Sequence, residues 1–229
     1  MTIKLHTIKP SVNNMTARVF LRAAKLDFTE DDVYGKTRSP EYIAKNPSHL
    51  SPMIEVEHLP KGVLWESCAI MQYLANKHHL HHLYPTDPEK RAMVDSAMFF
   101  LVGTLYQYIS RSTYPALGFA QYPGEVGASD ADERAKAAAQ KAAREAVAEP
   151  LEVFHKFFMN GKAFIGGEEP SIADIRLAAT LEFLAVIDYE LPAWAKTYMA
   201  NMERTLGAAY SEPAADVRGY IAYVRSQKK

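Results

Sequence analysis

Cysteine is almost missing from this chain of 229 residues: Cys68 stands alone. That excludes an intrachain disulfide framework and fits a reducing compartment. An excess of charge is missing too. With 26 basic against 27 acidic side chains and a formal net charge of -1, the balance offers no electrostatic footprint for DNA, RNA or an anionic membrane. No uninterrupted apolar run approaches the ~18–20 residues of a membrane span. The N-terminal Met1-Thr2-Ile3-Lys4-Leu5-His6 lacks the apolar core of a signal peptide. The expected address is the cytoplasm, with neither nucleic acid nor membrane as partner.

What is present is a globular composition, 48% hydrophobic and 23% charged. The length suits one large or two modest domains. In the first third, short signals alternate. Ile3 to Ile8 alternates apolar and polar side chains and predicts a strand. Val12 to Lys25 carries Val12, Met15, Val19, Phe20 and Ala23 at helical spacing. Phe28 to Val33 reads as a second strand. Ser39-Pro40-Glu41 opens a helix with proline in its first turn, which Asn46-Pro47 stops. Met53 to Glu57 and Gly62 to Trp65 predict a hairpin, and Ser67 to Lys77 a helix with Ile70, Met71 and Leu74 on one face. This order describes an α/β unit on one small sheet.

Residues 81–87 form a polar linker between a domain at 1–80 and a second at 88–229. The histidines His78, His79, His81 and His82 lie at or near that junction. No Cys, Asp or Glu is interleaved with them at ligand spacing before Asp87, so they read as a solvated helix end and no metal is expected. From there every strong signal is helical: Glu89 to about Tyr114, Asp130 to Phe158, Ser171 to Ile187, Ala193 to Arg204 and Ala214 to Arg225. Ser171-Ile172-Ala173-Asp174 has the spacing of a capping box, with Asp in place of the usual Glu. It reads as a folding element and not as a general base.

Four segments in this order resemble the soluble glutathione transferases. They are Asn46-Pro47-Ser48-His49-Leu50-Ser51-Pro52-Met53-Ile54; Leu64-Trp65-Glu66-Ser67-Cys68-Ala69-Ile70-Met71; Tyr84-Pro85 with Arg91-Ala92-Met93-Val94-Asp95; and Phe164-Ile165-Gly166-Gly167-Glu168 with Pro170 to Ile175. Each is weak alone, but the ordered set spans almost the whole chain. The resemblance implies a thioredoxin-like α/β domain followed by an all-α helical bundle. It also implies glutathione as co-substrate, a small hydrophobic electrophile as second substrate, and a symmetric homodimer.

The same resemblance assigns roles. The turn after strand one places Ser11 where theta-, delta- and epsilon-like members carry a catalytic serine. Asn13 and Asn14 are the rival polar groups. No tyrosine lies between Ile3 and Val19, and Cys68 is elsewhere, which sets aside the tyrosine and cysteine types. Glu66 and Ser67 are expected at the γ-glutamyl end of glutathione, at a helix start whose N–H groups favour an anion; the pair also suits a cap, with Ser67 as N-cap. Pro52 is expected after a cis bond that lets the Ser51 backbone pair with the cysteinyl part, although relatives commonly have an apolar residue at position 51. Leu50 stands where theta-like members have lysine, so the glycyl carboxylate falls to His49 or Arg38, with Lys36 nearby. Asp95 is expected either to reach a partner subunit's glutathione ammonium or to be paired locally. Tyr106, Arg111, Tyr114 and Phe119 are candidates for the second-substrate pocket, and the Pro- and Gly-bearing loop from Tyr114 to Asp130 for a lid.

The thiolate reading leads to a glutathione S-transferase. The same site would also serve a peroxidase, dehalogenase, isomerase or β-etherase, and the fold is also used by non-catalytic binding modules.

Overall fold

A computed structural model describes residues 3–117 and 133–227. The N-terminal half is a four-stranded sheet in the order β2-β1-β3-β4. Strand β1 (Ile3–Thr7) pairs parallel with β2 (Phe28–Asp32) and antiparallel with β3 (Met53–Glu55). Strand β4 (Val63–Trp65) closes the expected hairpin with β3. The crossover from β1 to β2 is helix α1 (Val12–Ala23), as a parallel pair requires. Helix α2 (Pro40–Lys45) begins as its sequence predicts, with the Ser39 hydroxyl accepting the Tyr42 N–H at 3.2 Å. Helix α3 (Ser67–Lys77) begins one residue differently from expectation. Ser67 is its first helical residue rather than its N-cap, because Glu66 sits at φ 73° and breaks the chain direction there.

The C-terminal half is mostly helical in its described residues, its longest non-helical stretch, 160–171, holding one isolated β-bridge between Phe164 and Gly167. Helix α4 (Pro88–Phe100) continues through a π-helical turn, Leu101–Leu105, into α5 (Tyr106–Thr113). After the undescribed segment come α6 (Glu133–Ala146), α7 (Ala148–Val153), α8 (Ile172–Glu182), α9 (Ala193–Leu206) and α10 (Ala208–Ser226). The last helix starts six residues before its expected Ala214 and runs through Pro213. Gly207, at φ 54°, ends α9 and opens α10 at a single residue. The run Pro88–Leu117 has the length and apolarity of a membrane span, which the sequence reading did not expect. Here Val94, Ala97, Met98, Leu101, Leu105 and Ile109 belong to the core shared with α8.

Nor is the stretch before α4 merely polar. Leu83 and Tyr84 are buried, and the Leu83 carbonyl accepts the Ile172 N–H at 2.9 Å. The Tyr84 hydroxyl donates to the Asp95 carboxylate, with Arg91 stacked 4.4 Å from the Tyr84 ring centre. The linker is thus an anchor for the start of α8.

The two halves meet on α1, which packs against α3 of its own half and against α8 and α10 of the other. This explains why α1 is buried far around its circumference, Asn14 and Arg18 included. The Arg18 guanidinium reaches Glu30 on β2 at 3.1 Å and Asp216 on α10 at 2.8 Å. Arg22 joins Glu30 and Glu212 beside it.

The capping box is present, and it does more than end a helix. Asp174 is fully buried and accepts from the N–H groups of Ile165, Gly166 and Ser171, from the Ser171 hydroxyl and from Tyr198. Burial pushes its carboxyl above the usual range while these donors pull it down. A Cβ on Gly166 would stand 2.4 Å from the Glu169 carbonyl, so only glycine passes there. Asp174→Ala orphans several buried donors at about 1–3 kcal/mol each. The variant is expected to lose at least ~3 kcal/mol in urea unfolding, and a loss below ~1 kcal/mol, the ordinary value of an N-cap, would refute the clamp.

Candidate functional site

A cavity of about 440 Å³ opens where the two halves face each other. Three stretches of the N-terminal half and two of the C-terminal half wall it. From the N-terminal half come Asn13 on the first turn of α1, the loop Asn46–Pro52, and the junction Trp65–Glu66–Ser67 between β4 and α3. From the C-terminal half come Val102, Tyr106, Ser110 and Tyr114 with Gln107, and Arg176 from α8. Val102, Tyr106, Ser110 and Tyr114 recur every four residues, which puts them on one helical stripe. The π-helical turn sits at the start of that stripe, a common location for such turns at functional sites.

The loop before β3 is held from inside. The buried Asn46 side chain donates to the Leu50 carbonyl at 2.9 Å and accepts from the Ser48 backbone and hydroxyl at 3.1 and 2.6 Å. The Tyr42 hydroxyl adds a bond to the Leu50 carbonyl at 2.7 Å. The Ser51–Pro52 peptide is cis. Asn14, fully buried, accepts the Ile8 N–H and donates to the Ser51 hydroxyl at 3.0 Å, tying the β1–α1 turn to this loop. At the junction of β4 and α3 Glu66 is exposed and keeps a backbone conformation unusual for a side-chain-bearing residue. Such strain persists where the surroundings over-determine it, and it gathers at ligand sites.

Of the residues named from sequence, the cavity brings together Ser51, Pro52, Glu66, Ser67, Tyr106 and Tyr114, with Asn13 from the rival pair. Ser11 sits just outside the lining, half-buried at the N-cap of α1, and its hydroxyl makes no capping bond. Arg38 and Arg111 are exposed and His49 half-exposed, none of them on the cavity wall. Asp95 is held within its own chain, accepting from Tyr84 at 2.9 Å and Gln72 at 2.7 Å. Phe119 and most of the suggested lid lie outside the described residues. Among the described residues no cluster of side chains has the make-up of a metal site.

Sequence reasoning missed Arg176. Its signal was present: it is the one basic side chain in the apolar run Ile172 to Leu181. In the structure it is 2% exposed, donates to Asn13 Oδ1 at 2.6 Å and to the Thr180 hydroxyl at 2.7 Å, and lies 4.9 Å from the Tyr106 ring centre. The Asn13 amide in turn donates to the Tyr106 hydroxyl at 2.8 Å, which contacts that of Tyr114 at 2.6 Å.

Cys68 follows this junction on α3. Burial pushes its thiol pKa up, with the Arg176 guanidinium pulling against it. A raised pKa means less thiolate at any given pH, which disfavours Cys68 as a nucleophile. It should react with a thiol-specific disulfide reagent at pH 8 at least ~10-fold more slowly in the folded protein than in urea. Equal rates would contradict that burial.

Both halves match known sequence families in the same order. Residues 1–76 match the family described as glutathione S-transferase, N-terminal domain, and residues 133–204 match glutathione S-transferase, C-terminal domain. Glutathione S-transferase D6 of Drosophila melanogaster is 27% identical over 191 residues, covering 82% of this chain and 80% of that protein. A glutathione transferase structure from Bombyx mori superposes with a TM-score of 0.77 at 25% identity, covering 98% of each chain. A delta-class glutathione transferase of Nilaparvata lugens superposes at 0.73 with 27% identity, over 97% of this chain and 99% of that one. With a four-stranded mixed sheet, a helical second half and a cleft between them, the chain belongs to the soluble glutathione transferase superfamily.

Proposed function

We propose that the chain is a glutathione S-transferase that binds glutathione along the N-terminal wall of the cavity and presents its thiolate to a small hydrophobic electrophile on the helical wall. The observation that carries this reading is the division of the cavity. One wall is polar loop backbone and helix starts, suited to a charged tripeptide. The other sets Val102, Tyr106 and Tyr114 side by side, suited to an apolar or aromatic partner. Ser51 and Pro52 serve the cysteinyl part, and Glu66 and Ser67 the γ-glutamyl end. His49 and Arg38 remain the nearby basic groups for the glycyl carboxylate.

The thiol belongs at the start of α1. A thiol pKa of about 8.5 leaves only a few per cent thiolate at pH 7. Lowering it by two units takes about 2.7 kcal/mol. One charge-assisted hydrogen bond contributes about 1.5–3 kcal/mol, and the helix N-terminus about 0.3–1 kcal/mol. Together these suffice without a general base. Ser11, whose hydroxyl makes no capping bond, is proposed as a donor to the thiolate and not as a covalent nucleophile.

Calorimetry with glutathione tests the binding, and thiolate absorbance titrated against pH tests the activation. Ser11→Ala is expected to raise the bound-thiol pKa by at least one unit and to cut turnover at neutral pH ~10-fold, with affinity little changed. Superimposable titrations would remove Ser11 from the chemistry and leave Asn13.

The working form proposed is a cytoplasmic homodimer. Sedimentation at micromolar protein should give a species of twice the 25.6 kDa chain mass. A single species at the chain mass would exclude it.

A further inference from the structure

Two arginines are buried near α1, and the fold treats them differently. Arg18 is 4% exposed and meets carboxylates at 3.1 and 2.8 Å. Arg176 is 2% exposed, and among the described residues no carboxylate lies within 4.0 Å of it. Its two hydrogen-bond partners are neutral, and its buried Nε has none. A buried charge without a counter-ion is costly. Here it stands on the wall of a cavity, where an anionic ligand would supply the missing charge.

The contact with Asn13 also settles which way that amide points. A guanidinium only donates hydrogen bonds, so the atom 2.6 Å from Arg176 Nη2 must be the amide oxygen. The amide nitrogen then faces Tyr106, another residue of the cavity wall. One of its hydrogens goes to the Tyr106 hydroxyl at 2.8 Å. The second has no acceptor among the described residues. Without Arg176, rotation of the amide by 180° would turn the oxygen toward the cavity and repel an anion there.

We infer that Arg176 is a positioning residue for the glutathione thiolate: it locks the Asn13 amide with an N–H aimed into the cavity and places a positive charge behind that donor. This rests on the glutathione-transferase reading above. It adds a part of that site contributed by the helical half of the chain. A thiolate accepts several donors, so Asn13 and Ser11 act on it together. The groups facing Arg176 are Asn13 from α1, Cys68 from α3, the Tyr106 ring from α5 and Thr180 from α8 itself. The exposed Glu66 on the same cavity is the nearby carboxylate that works against it.

The test is the pH titration of bound-glutathione thiolate absorbance. It is carried out in a Cys68→Ala background so that the protein's own thiol does not contribute, and glutathione affinity is measured in parallel by calorimetry. Arg176→Gln is expected to raise the bound-thiol pKa by about one unit, a tenfold loss of preference for the thiolate. Arg176→Lys, which keeps the charge but not the fork, should recover part of the shift. In the Asn13→Ala background Arg176→Gln should add clearly less than it does alone, because the positioned donor is already gone and only the charge is left to lose. If Arg176→Gln does not fold, Asn13→Asp decides: it pairs with Arg176 while removing the donor, and should raise the pKa at least as far.

An unshifted titration in a folded, glutathione-binding Arg176→Gln protein overturns the inference alone, as does full additivity with Asn13→Ala. If only Asn13→Asp folds, an unshifted titration in it does the same. A parent protein that binds no glutathione overturns the glutathione-transferase reading and this inference with it.

Discussion

The buried carboxylate of Asp174 is the interaction on which the site depends. It gathers the loop around Gly166, the cap of α8 and the Tyr198 hydroxyl of α9 on one side chain. A carboxylate without water is tolerated because donors surround it. What it fixes is the angle and depth at which α8 enters the molecule. Arg176 lies two residues further along, and its reach to Asn13 in the other half depends on where that helix starts. A cap that does not itself line the cavity thereby sets the position of a guanidinium on its wall.

The cavity is a boundary between two kinds of polar chemistry. On the N-terminal side the groups are mostly backbone, exposed by a cis-proline loop and a strained Glu66 and braced by Asn14, Asn46 and Tyr42. Those braces bond the loop's own main chain and its serine hydroxyls, and so hold its shape. Facing it, side chains bond in series, from Arg176 across to Asn13 of α1 and back to Tyr106 and Tyr114 of the helical side. Such chains polarise from end to end in a low-dielectric setting. The first member is permanently charged, which gives the series a direction.

Much of this was legible in the sequence, for identifiable reasons. Strands and helices of the first half have short, clean periods and explicit punctuation, Ser39-Pro40 and Asn46-Pro47, and in the second half the capping spacing of Ser171 and Asp174 marks the start of α8. Glu66, Ser67, Ser51 and Pro52 were placed on the cavity because they lie in segments whose order resembles a known family. Two things were not legible. The start of α10 was misplaced because Pro213 reads as a breaker, whereas the helix runs through it and gives up the one backbone hydrogen bond its N–H would have made. Arg176 was passed over because a lone basic side chain on a largely apolar helix shows nothing of what it faces; only the packing of α8 on α1 reveals that. Leu83 and Tyr84 were hidden among histidines for the same reason, since burial is a property of neighbours distant in sequence.

The ties between α1 and α10 bear on how the protein is made. Arg18 and Arg22 meet Asp216 and Glu212, partners close to two hundred residues later in the chain. A ribosome delivers the sheet and α1 first and α10 last. Until the final helix emerges, one flank of α1 has neither its apolar cover nor its second set of carboxylates. The first half therefore spends most of synthesis as an unfinished surface, and a chain released before residue 212 never completes it.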